Sequence, residues 1–264
     1  MPYFFIRPKR YETDLTDSQW QVIQEVLPDT RRRKHSLRLI VNALLYLTKS
    51  GCQWRLLPRE FPPFPLVYYY FRRWQADGRW AQLNQALVRR HRQRAAPSRQ
   101  PSPSVAVLDA QSIKCSERGV SDKGFDGHKK IQGRKRQLLV DTGGLLLAAH
   151  VGPAQENDRV GGKAALQKLA QQGFERLHLV LADAGYDGQP LAQWTREHCG
   201  WRLETAPGLT GGGGFTPVPT RWVVERSISW LQWDRRLSRD YECETSSAEA
   251  TIYLSSIRHL IRKF

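Results

Sequence analysis

The 264-residue sequence predicts an α/β fold with a mixed sheet, preceded by an all-α region. Three observations predict it. Apolar residues recur at helical spacing up to about residue 94, whereas short apolar runs bounded by Gly and Asp take over from about residue 105. Between the two, AAPSRQPSPS is rich in Pro, Ser and Ala and reads as a linker. The expected organisation is a helical region over 1–94, a linker over 95–104 and an α/β domain over 105–264.

In the helical region, Thr16 and Gln19 form a capping-box pattern before Trp20, Ile23 and Leu27, and Pro28 ends the run. A second helix begins near Ser36, carries Leu37, Ile40, Val41, Leu44 and Leu47 on one side, and stops at Gly51. Pro65 suits the first turn of a third helix through Trp74, closed by Asp77-Gly78. A fourth runs from Trp80 through Leu83 and Leu87 into the basic tail RRHRQR. Farther on, VAVLDAQSIK, RQLLVDTGG, LLLAAHV and LHLVLADAG read as strands. The second and third of these form a hairpin turning at Thr142-Gly143-Gly144. Helical patterns follow at about 160–172, 188–198, 221–238 and 247–263, and GLTGGGGFTPVPT reads as a flexible loop before the third of them.

Composition narrows the partners. Lys and Arg total 41 against 25 Asp and Glu, a net charge of +16, with a pI near 10.1. The excess is uneven. Residues 1–104 hold 19 basic and 7 acidic residues, net +12, and residues 105–264 hold 22 and 18, net +4. A polyanion fits this balance, and nucleic acid fits better than a membrane surface, because the basic residues are spread over several segments. Cys52, Cys115, Cys199 and Cys243 lie far apart without zinc or redox spacing and are expected as reduced, mostly buried thiols. The start MPYFFIRPKRYE lacks the apolar core of a signal peptide, and no stretch approaches transmembrane length, so an intracellular protein is expected.

The residues that could carry chemistry are acids at strand ends. Asp109 closes the apolar run in VAVLDAQS, and Asp183 repeats the situation in HLVLADAGYDG. Each alone is more safely read as an ordinary strand-terminating Asp. Together, two acids from separate strands converging at one sheet edge would repel each other, and a divalent cation would relieve that repulsion. Glu225, in RWVVERSISWLQWDRRL, is the candidate third carboxylate. On a helix it shares a face with Arg221, Ser229, Gln232 and Arg236, while Val224, Ile228 and Leu231 line the packing stripe. The plain alternative is that Arg221 and Glu225 form a surface i,i+4 pair, and the residues alone favour it. A basic arm, GHKKIQGRKRQ, offers His128, Lys129, Lys130, Arg134, Lys135 and Arg136 to phosphates, though a solvated charged turn is the commoner use of such a run. Tyr68, Tyr69, Arg72 and Arg73 mix aromatic and basic side chains on the third helix, as a groove-reading helix would; otherwise the aromatics are core.

Taken together, LTDSQWQVIQEVLP with SGCQWRLLP, VLDAQSIK, GFDGHKKIQGRKRQLLVDTGG, and LADAGYDG with WVVERSISWLQWDRRLSRDYE give a specific pattern. In that order the chain resembles bacterial insertion-sequence transposases of family five, within the four/five group. The resemblance implies an RNase H-like catalytic domain whose Asp-Asp-Glu triad falls on Asp109, Asp183 and Glu225. It implies Mg²⁺ as cofactor, two ions with Mn²⁺ as a substitute, held by those three residues. Arg221 matches the family's Arg four residues before the Glu. Many relatives carry Lys or Arg seven or eight residues after it, where this chain has Gln232 and Trp233; Arg235 or Arg236 is the expected substitute. The helical region, helix-turn-helix-like, would bind terminal inverted repeats. Double-stranded DNA is the implied partner, with a homodimer or higher assembly at synapsis and a cytoplasmic, nucleoid-associated setting. An RNase H-like nuclease without strand transfer, or a decayed DNA-binding repressor, is the competing expectation.

Overall fold

The computed structural model describes residues 10–27, 33–96, 99–116, 119–205 and 221–264, the side chain of Arg221 excepted. The expected loop at 208–220 and the expected stop at Pro28 lie outside those residues.

The helices form where local chemistry starts and stops them. Helix α1 (Asp17–Gln24) opens with the predicted capping box: Gln19 N donates to Thr16 Oγ1, and Thr16 N donates to Gln19 Oε1. Ser36 caps α2 (Leu37–Ser50), and Gly51 ends it in the left-handed conformation at φ 69°, which a β-carbon would strain. Then come α3 (Phe64–Ala76), with Pro65 in its first turn, and α4 (Arg79–Ala95).

The second part of the chain supplies β1 (Val105–Lys114), β2 (Gly124–Asp126), β3 (Ile131–Asp141), β4 (Leu146–Pro153), α5 (Asp158–Ala170), β5 (Leu179–Ala182), α6 (Gln189–Cys199), β6 (Arg202–Thr205), α7 (Arg221–Gln232) and α8 (Thr245–Ile261). Strand β1 is central. It runs antiparallel to β3 on one side and parallel to β5 on the other, and β6 extends the parallel edge. Both β4 and β2 pair with β3 along its far side. The result is the expected α/β class, a mixed sheet preceded by helices. Sequence reading missed β2 and β6, which are only three and four residues long and carry no alternating apolar pattern.

Side-chain alternation along β3 sorts two faces. Lys135 and Gln137 point toward α5 and its N-terminus, whereas Arg134 and Arg136 point toward the segment leading into α8. Helix α7 packs across β1 and β3, and α8 packs against β4 and also against α2, α3 and α4. Buried residues lie all round α8, from Ser247 to Ile261, so it is an interior helix with no solvent face along most of its length. The apolar core therefore runs without interruption from Ile40, Leu44 and Leu83 to Leu139 and Leu254. Each such fully buried side chain contributes about 1.5–3 kcal/mol.

Polar ties cross the same boundary. Asn84 Nδ2 donates to Leu146 O at 2.7 Å, and the buried Arg92 guanidinium pairs with Asp141 at the end of β3. The 95–104 stretch marks a change of composition but not a break in packing: Ser102 is buried and its Oγ accepts from Arg176 N.

Helix α7 ends at Gln232, six residues short of the predicted stop at 238. Asp234 is fully buried, paired with Arg258 at 2.7 Å and bonded by Ser255 Oγ at 2.5 Å, and the chain turns there into a 3-10 turn at Arg235–Leu237. The four cysteines are free, as expected, but Cys52, Cys115 and Cys199 are only partly covered and Cys243 is exposed. Among the described residues, no helix is long and apolar enough to cross a membrane.

Candidate active site

The parallel pairing of β1 with β5 stops at Leu108 opposite Ala182, and the next residue on each strand is an aspartate. Neighbouring strands lie about 4.8 Å apart, so Asp109 and Asp183 are brought side by side by register alone. Asp183 Oδ1 accepts from Gly185 N at 2.9 Å and caps the 3-10 turn Ala184–Tyr186. Asp109 Oδ1 accepts from Ala110 N at 2.7 Å.

Asp109 is held in a hostile environment for a charge. Its pKa is raised to about 6, by burial above all; the Ala110 hydrogen bond and Lys129 pull it down, and Asp183 and then Glu225 push it up. Both other acids of the expected triad thus act on the Asp109 carboxyl. Glu225 reaches the field from α7, whose Val223, Val224 and Leu231 are buried against the sheet while Glu225 stays exposed. Lys129 is aimed by a turn that Asp126 fixes: its Oδ1 accepts from His128 N and Lys129 N, both at 3.0 Å, and its Oδ2 accepts from Ser112 Oγ at 2.5 Å.

Carboxylate oxygens are the hard donors that a divalent cation selects, and Asp183 and Glu225 both act on Asp109, with Lys129 opposing them. The three acids remain a loose cluster. Among the described residues, no group of three His, Cys, Asp or Glu side chains is close enough to hold an ion between them.

Tyr186, Gln137 and Asp158 support the site and were not anticipated, and Lys135 joins them in place of the expected phosphate contact. Tyr186 is buried and its hydroxyl donates to Gln137 Oε1. Its ionisation is pushed well up by burial first, then by Asp109, Asp158 and Asp183. Lys135 Nζ donates to Asp158 Oδ1 at 2.9 Å, and Gln137 Nε2 reaches the same oxygen at 3.5 Å. These contacts lock the turn after Asp183 to β3 and to the start of α5. Gly162 makes room for them, because a β-carbon there would lie 2.8 Å from the Tyr186 ring. A glutamine inside an otherwise apolar strand stretch, RQLLVD, is the signal that could have found the network.

The expected DNA contacts divide sharply. Lys129 and Lys130 are exposed, as are Tyr68 and Tyr69 on α3. Arg73 is exposed beside Tyr69 and Asp77, whereas Arg72 turns to Glu244 at 2.5 Å, at the cap of α8. Arg134 is fully buried and donates to Ser121 O, Glu242 O and Cys243 O at 2.7, 3.0 and 2.8 Å. Arg136 is equally buried and donates to Leu237 O, and Lys135 is bound to Asp158. Of the two proposed substitutes after Glu225, Arg236 is buried against Glu242 at 2.7 Å and Cys52 O at 3.0 Å; Arg235 alone is exposed. Arg134, Arg136 and Arg236 therefore serve the fold, a correction to the expectation that they face phosphate. The physical reason is that a strand or turn can bury an arginine when enough carbonyls and carboxylates surround its five donors.

Comparison with known proteins adds two family matches. Residues 15–84 match "Putative transposase of IS4/5 family (DUF4096)", and residues 100–208 match "Transposase DDE domain". Two relatives are similar over part of the chain. An uncharacterized protein, y4sN, of Sinorhizobium fredii is 28% identical over 32% of this chain and 83% of its own length. The insertion element IS402 uncharacterized 16.2 kDa protein of Burkholderia cepacia is 29% identical over 38% of this chain and 72% of its own. A cryo-EM structure of a piggyBac transposase synaptic complex with hairpin DNA aligns at a TM-score of 0.36 and 11% identity, covering 73% of this chain. The chain spans 48% of that protein's length.

Proposed function

We propose that this chain, which matches the IS4/5-family and DDE-domain transposase models over residues 15–84 and 100–208, is a transposase that cuts the ends of an insertion element and joins them to target DNA. The observation that carries this reading is the β1–β5 register, which sets Asp109 beside Asp183 at the edge of the sheet, with Glu225 on the helix α7 that packs across β1. Asp109, Asp183 and Glu225 would hold Mg²⁺, two ions with Mn²⁺ as a substitute. Bound metal supplies a lowered pKa for an attacking water or 3′-OH and stabilises the leaving oxygen. The protein's own residues do the rest. The Asp183 cap and the Tyr186–Gln137 bond hold one carboxylate rigid, while the exposed Lys129 and Lys130 steer a phosphodiester toward it. Hydrolysis frees a 3′-OH at the element end; that hydroxyl then attacks a target phosphodiester, expelling the target's 3′ oxygen.

In this reading residues 1–94 bind the terminal inverted repeats, with Tyr68, Tyr69 and Arg73 facing DNA, and 105–264 carries catalysis in the cytoplasm. Synapsis of two ends requires at least a dimer. Arg221 and Arg235 are the remaining candidate phosphate contacts near Glu225.

The test is cleavage and joining of a labelled duplex bearing the repeats that flank the reading frame. Asp183→Asn and Glu225→Gln are expected to lose metal-dependent cleavage by at least a hundredfold while retaining the gel shift of the intact duplex. Retained cleavage in either variant removes that residue from the triad. Cleavage without joining by the parent chain makes the protein a nuclease instead. For Lys129 and Lys130, replacing both with Ala is expected to weaken duplex binding and lower the slope of log affinity against log salt by about 2. An unchanged slope places the DNA elsewhere.

A further inference from the structure

The outer face of α7 carries a stack that the catalytic reading leaves unexplained. The Arg226 guanidinium lies between two indoles, 4.4 Å from the Trp222 ring and 4.7 Å from the Trp230 ring. Trp230 in turn stacks on His259 of α8 at 4.6 Å and 20°. One end of this ladder is open: Trp222 is 51% exposed. Trp233, three turns farther along, is 59% exposed. Trp233 lies 6.5 Å from His259, so the two exposed indoles flank one stack, and contiguous aromatic surface of this kind marks an interaction site.

The surroundings of the ladder are cationic. Lys263 Nζ sits 5.8 Å over Trp230, and Arg94 lies over Phe264 at 4.9 Å. Lys263 is lowered by burial and then by Arg226, and His259 is lowered to about 4 by burial and then by Lys263, Arg258, Arg262 and His91. His91, on α4, is lowered by burial and by Lys263, against an upward pull from the buried Asp141, and then by Arg99 and Arg94. The other acids facing this patch are already engaged, Glu12 with Arg262 at 3.2 Å and Asp234 with Arg258. Beyond burial, neighbouring cations deepen all three shifts, so Lys263, Arg226, Arg258, Arg262, Arg94 and Arg99 gather around α7 and the ends of α4 and α8, an array that an anionic strand would neutralise.

We propose that this face binds an unpaired stretch of DNA strand, its bases stacked on Trp222 and Trp233 and its phosphates carried by Lys263, Arg94 and Arg262. Flat ring faces reward a base whose own face is free, and in a duplex the faces are already stacked on neighbouring pairs. Trp222 and Trp233 are eleven residues apart, about 16 Å along a helix, room for more than one nucleotide. Trp222 also lies one helical turn before Glu225, so a strand on this face leads directly to the candidate carboxylates. The inference rests on the transposase reading and extends it, by naming where a frayed or cut end would be held.

The experiment uses the full chain, fluorescence anisotropy and two probes: a blunt labelled duplex, and the same duplex with a single-stranded oligo-dT tail. The parent is expected to prefer the tailed probe, with tryptophan fluorescence quenched on binding. Trp222→Ala with Trp233→Ala is expected to lose roughly tenfold on the tailed probe and nothing on the blunt one, and Trp222→Phe with Trp233→Phe to restore most of it. Equal losses on both probes, or no loss, overturn the platform while leaving duplex binding intact. A parent dimer in sedimentation without DNA that the Ala variant dissociates would overturn it too, assigning the face to a second copy of this chain. Failure of the parent to bind either probe sinks the transposase reading itself.

Discussion

In metal-free buffer at pH 8, Asp109→Asn is expected to melt at a higher temperature than the parent chain. The reason is the cost of ionising a carboxyl that is partly buried beside Asp183 and within the field of Glu225. Well below the unfolded value of 3.8 the carboxyl is protonated in folded and unfolded chains alike, and carries no penalty. As pH rises from 4 through 6, the unfolded chain releases its proton while the folded chain holds it, so stability falls over that window and the full penalty persists above it. Moving a carboxyl from 3.8 to about 6 corresponds to ~3 kcal/mol before screening. The partial exposure of the side chain reduces that to about 1–2 kcal/mol. For a chain of this size each kcal/mol moves the melting point by roughly 2–4 °C. Asparagine keeps the volume and the acceptor for Ala110 N–H, so little else changes. Mg²⁺ is expected to raise the melting point of the parent and leave the variant nearly unmoved, because binding to the folded state alone stabilises it. A variant no more stable than the parent at pH 8 would show that the acidic cluster is relaxed or solvated, and would remove the physical basis for a cation there.

How much of this site could be read from the residues depends on which force places each one. Asp109 and Asp183 were legible because their position follows from local rules: an apolar strand run ends, and an acid begins the turn. Their adjacency then needs only the β1–β5 register, which the hydrophobic pattern specifies. Both ends of helix α2 were legible, since Ser36 and Gly51 are local signals. The end of α7 was not. Nothing near Gln232 breaks a helix; the break comes from Asp234 seeking Arg258, twenty-four positions away on α8. Likewise α8 gives no hint in sequence that it will be covered on every side. Its small residues, Ser247, Ala248, Ala250, Ser255 and Ser256, are what allow α4 and the sheet to approach it. The same tertiary forces explain why 95–104 changes composition without separating two cores.

The basic run GRKRQ shows the limit most clearly, and it yields a large expected effect on stability. Arg134→Met should destabilise the chain by about 3–5 kcal/mol, a drop of roughly 10 °C in melting point, while leaving duplex affinity unchanged at temperatures where the variant is folded. Arg134 is 0% exposed; its guanidinium donates to Ser121 O, Glu242 O and Cys243 O and lies 3.4 Å from Asp240, itself buried. Removing the cation leaves those carbonyls without their donor and takes from the Asp240 carboxylate the guanidinium that lies 3.4 Å from it, while Arg136 still feels its charge. The penalty is that of an uncompensated buried charge, larger than the worth of the pair itself. It follows that Asp240→Asn added to Arg134→Met should recover part of the loss, a sign that a surface phosphate contact cannot produce. Loss of DNA binding with an unaltered melting point would instead return Arg134 to the nucleic-acid interface. Lys129 and Lys130, only a few residues earlier, are expected to behave the opposite way, altering affinity and leaving stability almost untouched. Composition cannot separate the two groups; the alternation of β3 does, because it turns Arg134 and Arg136 into the interior while the turn before the strand remains in solvent.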